Sequence, residues 1–94
     1  MLSNKRWSIA RGVGSAVAYD LFVIMLNPKF RGSEFRWENL EDMAARQASS
    51  SLGMQGDFGK DHNKMQEAAA DYARYIIKAC LKDSGVENWL PCKK

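Results

Sequence analysis

Apolar residues recur at helical spacing in three stretches of the chain, and the first of these is apolar on more than one side. Ser3 or Asn4 can accept bonds from the open N–H groups of a first turn, so a helix is predicted from there to about Leu26, where Pro28 stops it. Gly12 and Gly14 each cost about 1 kcal/mol in a helix interior, which predicts a kink, or a separate first turn holding Trp7 and Ile9, before the stronger segment from Ser15. Residues 21 to 26 read Leu, Phe, Val, Ile, Met, Leu. Such a run is apolar around the whole helix and calls for protein on several sides.

The second stretch is thinner. Trp37, Leu40, Met43, Ala44 and Ala48 share one face of a helix predicted from about Glu34 to Ser50, while Glu38, Glu41, Asp42 and Arg46 take the solvated positions. The run Ser49, Ser50, Ser51 is expected to end it, followed by a glycine loop through Gly53, Gly56 and Gly59. The third helix has the clearest signals: Asp61 as N-cap, a body through Lys82, Gly85 beyond the end, and Lys78 and Lys82 near the negative pole of the helix dipole. Met65, Ala68, Ala69, Tyr72, Ile76, Ala79 and Cys80 lie on one face. Its alanines, with Ala16 and Ala18 of the first helix, allow close approach, and the pair is expected to run antiparallel.

Two segments lack a clean period. Residues 29–37 admit a short hairpin turning at Gly32-Ser33, with Arg31 opposite Glu34 and Phe30 opposite Phe35, or an irregular loop in which Ser33 caps the second helix. The loop is preferred because an isolated hairpin is marginal. After Gly85, Trp89 and Leu90 are expected to fold back as a plug before Pro91. The fold class that follows is all-α, a small bundle of three principal helices in a single domain, residues 1–94.

Length and charge narrow the function. With 94 residues, a charge of +3 from 14 Lys+Arg against 11 Asp+Glu, and 46% hydrophobic residues, the chain has room for one core and is too apolar to be a disordered tail. Lys5, Arg6 and Arg11 ahead of the run from Val13 to Leu26 imitate a signal peptide, but Asp20 interrupts the run and the Ala16-Val17-Ala18 triplet precedes its most apolar part. A membrane span of about 20 residues would take in Asp20 and either Arg11 or Asn27. The expectation is a soluble cytoplasmic protein with no membrane partner. Cys80 and Cys92 are read as free thiols, and with a single histidine they give no zinc-site spacing, so no metal and no cofactor are expected.

Candidate chemistry is sparse. His62, near Asp57 and Asp61, could serve acid–base work, but a histidine in the first turn of a polar helix is ordinarily a surface residue. The serine run lacks the elbow that presents a catalytic hydroxyl. Asp57-Phe58-Gly59 spells the kinase magnesium tripeptide without any other kinase element. An enzyme is therefore not expected.

Binding is the better expectation. Phe30, Arg31, Phe35, Arg36 and Trp37 combine the residue types that anchor protein interfaces, and they are the expected partner-binding surface. Leu21, Phe22, Ile24 and Met25 are the expected contact between copies in a homo-oligomer, because the two other helices offer little cover. The principal reading is a small protein-binding module, an inhibitor or adaptor of the kind compact viral or mobile-element accessory genes encode. The alternative is a single-stranded nucleic acid or a nucleotide bound by the basic-aromatic patch, with Arg11 and Lys29, or by the glycine loop, with Lys60 and Lys64. Charge favours the N-terminal part: residues 1 to 36 carry a net +4 and the remainder −1.

Overall fold

The computed structural model describes residues 2–26 and 39–84. Among them are three α-helices, α1 (Asn4–Leu26), α2 (Leu40–Met54) and α3 (His62–Ser84), with one 3-10 turn (Gly59–Asp61) and no strand. The all-α class and the three-helix bundle are as the periodicity predicts. Residues 29–37, where hairpin and loop compete, and the C-terminal plug with Trp89, Leu90 and Cys92 lie outside the described residues.

Helix α1 starts where its cap predicts. The Ser3 hydroxyl accepts the Arg6 N–H at 3.3 Å, and the Ser3 carbonyl accepts the Trp7 N–H at 2.8 Å, closing the first turn. The helix is then continuous for 23 residues, with no separate first turn before Ser15. The tolerance of Gly14 has a packing cause. A Cβ built on Gly14 would lie 2.5 Å from the Ala69 carbonyl oxygen and 3.2 Å from the Ala73 backbone nitrogen. Gly14 is thus a point of close approach between the backbones of α1 and α3, and the energy gained there offsets its poor helix propensity.

Helices α1 and α3 run parallel, not antiparallel. Arg6 meets Asp61, and Gly14 meets Ala69 and Ala73, so the two chains ascend together. Helix α2 descends between them in sequence: Ser49 bonds Gln66, Asp42 faces Arg74 and Glu41 faces Lys78. Two successive reversals necessarily leave the first and third helices pointing the same way. Small residues license a close approach but carry no direction; the connections set it.

Helix α2 also runs past its expected end, through Ser49–Ser51 and Gly53 to Met54. Leu52, with no exposed surface, supplies the reason, because its burial outweighs the weak propensity of the neighbouring serines and glycine. Gly53 has a contact role too: a Cβ there would come 2.8 Å from Nε2 of Gln66, whose amide donates to the Ser49 carbonyl at 3.0 Å. Glu41 and Asp42 occupy the first turn of α2, where the dipole favours them.

The core forms where the three helices meet: Ala10, Val13, Ala18, Leu21, Phe22 and Met25 from α1, Leu40, Ala44, Ala48 and Leu52 from α2, and Met65, Ala69, Ala73, Ile76 and Ile77 from α3. Alanine at so many core positions brings the backbones close and leaves few large side chains to cover α1. This bears on the expected contact between copies. Leu21, Phe22 and Met25 are buried inside the single chain, so they are core residues and not a surface for a second molecule. Of that expected set only Ile24 faces outward, at 44% exposure, beside Val23 at 65%. The apolar end of α1 is covered on one side by its own chain and uncovered on the other.

Candidate functional site

Three surface features carry side chains that could do chemistry or recognition. The first surrounds the connection between α2 and α3. Gly56 and Gly59 have φ of +148° and +66°, conformations that favour glycine, and they turn the chain into α3. Three of the loop's N–H groups have partners within the protein: Gly59 N–H donates to Asp57 Oδ1 at 2.8 Å, Phe58 N–H to His62 Nδ1 at 3.4 Å, and Asp61 N–H to the Phe58 carbonyl at 3.4 Å. A loop that cradles a phosphate must keep such donors free. The imidazole of His62 lies against the Phe58 ring, centroids 6.0 Å apart, and orders the turn. Lys60 and Lys64 are exposed beside it.

This connection is locked from α1 by a residue that sequence reading overlooked. Arg6 Nη1 donates to both the Phe58 carbonyl and Asp61 Oδ2 at 2.8 Å, and its guanidinium lies 6.0 Å from the Phe58 ring centre. Asp61 is therefore taken up by a cross-bundle ion pair, just ahead of the helix it was expected to cap. The partners are 52 and 55 residues apart in the chain, and no local pattern connects them.

The second feature is an open depression of about 380 Å³ between α1 and α3, lined by Ser8, Arg11, Gly12, Ser15 and Tyr72. The Arg11 guanidinium sits 5.0 Å from the Tyr72 ring centre and 5.9 Å from that of Trp7. Of the residues expected to bind phosphate or nucleotide, only Arg11 is found here: Lys60 and Lys64 do not line the depression, and Lys29 lies outside the described residues. The expected partner surface of Phe30, Arg31, Phe35, Arg36 and Trp37 also lies outside them. Trp7 and Tyr72 entered the sequence reading as packing residues. Their role beside a cation follows from the parallel pairing of α1 and α3.

The third feature is the outer side of α1. Ala16, Tyr19 and Val23 follow each other at three- and four-residue spacing and are all exposed, with Ile24 beside them. An 18-residue window of α1 has a mean hydropathy of 1.6, enough by length and composition to cross a membrane, despite the charges that argue against a span. A core helix passes the same test, and α1 buries one face in the bundle.

Among the described residues, no group of three or more His, Cys, Asp and Glu is placed to hold a metal ion. Cys80 is half-buried against the core; burial, and then the nearby charge of Asp83, push its thiol pKa above the usual value, opposite to what an activated nucleophile requires. No protein-family profile matches the chain, and comparisons with curated proteins and with solved structures give no match.

Proposed function

We propose that this chain is a small protein-binding module that acts without catalysis and associates with copies of itself through the outer side of α1. The observation that carries this reading is the unequal cover of α1. Tyr19, Val23 and Ile24 are 50%, 65% and 44% exposed, on the same helix whose opposite face closes the core. Monomeric proteins commonly leave single apolar residues exposed, but adjacent ones along one stripe mark contact sites.

The energetics set the strength. Full burial of each large side chain stabilises by roughly 1.5–3 kcal/mol, so covering the exposed fraction of these three yields about 2–5 kcal/mol per copy. Association entropy opposes this by an estimated 4–15 kcal/mol. The stripe alone therefore supports weak, concentration-dependent association. A protein partner that adds contacts beyond it would bind more tightly.

Sedimentation velocity over a wide concentration range, on the wild type and on Val23→Lys/Ile24→Lys, tests the reading. The wild type should shift toward a dimer or larger species as concentration rises, and the double variant should remain a monomer with unchanged helicity. A wild type that sediments as a monomer throughout, or a double variant that associates equally well, would remove the basis for the proposal.

A further inference from the structure

The geometry points to a binding site for a small phosphate monoester in the depression between α1 and α3, with Arg11 as its cationic anchor. This site is separate from the outer stripe of α1, and either can fail without the other.

Charge comes first. Arg11 has no carboxylate partner among the described residues, in contrast to Arg6, which is held by Asp61, and Arg74, which reaches both Asp42 and Asp71. Among the described residues no acidic one lines the depression, and the nearby Asp71 of α3 is engaged with Arg74. An unpaired guanidinium among neutral described neighbours presents a positive potential to an incoming anion.

Orientation is the second part of the argument. Rings on two helices, Trp7 on α1 and Tyr72 on α3, lie within 6 Å of the guanidinium and narrow the positions it can take before any ligand arrives. Among the described residues no hydrogen bond or ion pair takes up the N–H donors of Arg11, which leaves available the fork that suits phosphate and carboxylate oxygens. Ser8 and Ser15 lie three residues before and four after Arg11, on the same face of the helix, and add two hydroxyls to the lining. A carboxylate has only two oxygens to offer, whereas a phosphate monoester has three terminal ones for the fork and both hydroxyls.

Space completes the case. A Cβ built on Gly12 would meet nothing within 4 Å, so the floor of the hollow is open backbone. About 380 Å³ is at the lower end of the roughly 300–1,000 Å³ typical of small-ligand sites, and leaves room for a sugar beside the phosphoryl group.

The test is an amide NMR titration at constant ionic strength with four probes: inorganic phosphate, ribose 5-phosphate, AMP and adenosine. The two organic phosphates should give saturable shifts at Ser8, Gly12 and Ser15. Inorganic phosphate should bind the same residues more weakly, and adenosine should not bind. Arg11→Ala should weaken ribose 5-phosphate binding by about tenfold or more, and Arg11→Lys should recover part of it, because charge returns without the fork. Lys60→Ala/Lys64→Ala should bind as the wild type does. Inorganic phosphate binding as tightly as ribose 5-phosphate would overturn the organic part of the assignment, leaving a bare anion site. Four results would overturn the site itself: no saturable shift with any phosphate, shifts centred on residues 56–64, adenosine binding equal to AMP, or full binding by an Arg11→Ala variant with an otherwise native spectrum.

Discussion

Replacing Gly14 by alanine isolates a close backbone approach between α1 and α3. The new Cβ would lie 2.5 Å from the Ala69 carbonyl oxygen, 3.2 Å from the Ala73 nitrogen and 3.3 Å from the Ala69 carbonyl carbon. All three are backbone atoms, so no rotamer change relieves the clash. Restoring ordinary contact at about 3.4 Å requires α1 and α3 to part by roughly 0.9 Å, and a gap of about 0.5–1 Å already forfeits a quarter to a half of each dispersion contact across the interface. Overpacking of this kind costs about 1–3 kcal/mol, or more against rigid backbone. Gly→Ala at a helix interior returns about 1 kcal/mol through propensity. The expected net loss is up to about 2 kcal/mol, a fall in Tm of up to about 15 °C for a chain of this size.

The matched control is Gly12→Ala, two residues away on the same helix. Its Cβ meets nothing within 4 Å. Only the propensity effect remains, and this variant should gain about 0.5–1 kcal/mol. Thermal melts and urea titrations of both variants, followed by circular dichroism, measure the difference. Adding Ala69→Gly to Gly14→Ala should give no rescue, because the clashing Ala69 atoms are main chain. If Gly14→Ala were as stable as Gly12→Ala, the close parallel approach of α1 and α3 would be wrong.

Other expectations follow from single contacts. Arg6→Ala removes one ion pair, one bond to a carbonyl and one ring contact, and should cost about 1–2 kcal/mol in urea unfolding, since the pair is only partly shielded from water. Hydrogen exchange should then quicken first around Phe58 to Asp61; unchanged exchange there would argue against the lock. In a Cys92→Ser background, the folded Cys80 thiol should react with iodoacetamide more slowly than the unfolded thiol, and its rate should climb only at higher pH, because burial and Asp83 raise its pKa. The linked stability is fully present below the unfolded thiol pKa and is lost as pH rises through the raised folded value; a folded thiol reacting at the unfolded rate would contradict this.

The starts of α1 and α3 and the burial pattern of α3 are legible along the chain because their causes are local, whereas α2, expected over about Glu34–Ser50, spans Leu40–Met54. Ser3 caps α1, the acids at Glu41 and Asp42 sit in the first turn of α2, and the Met65, Ala69 and Ile76 face of α3 repeats at helical spacing and is buried. The apolar excess at the end of α1 was legible too, although its division into core and surface was not. Leu21, Phe22 and Met25 differ little in hydrophobicity from Val23 and Ile24. Which of them is buried depends on where α2 and α3 lie around the helix.

Sequence alone determined the helical class, the starts of α1 and α3 to within a residue, and the apolar faces of α2 and α3, since a period of 3.6 residues and a cap act over one or two turns. Tertiary structure alone decided that α1 and α3 run parallel, that Gly14 is a contact between them, that Arg6 locks the far loop, and that Arg11 lies near both Trp7 and Tyr72 without an acidic partner among the described residues. Each of these joins residues dozens of positions apart. Such contacts depend on how the chain reverses between helices, and helical periodicity carries no information about the direction of the next helix.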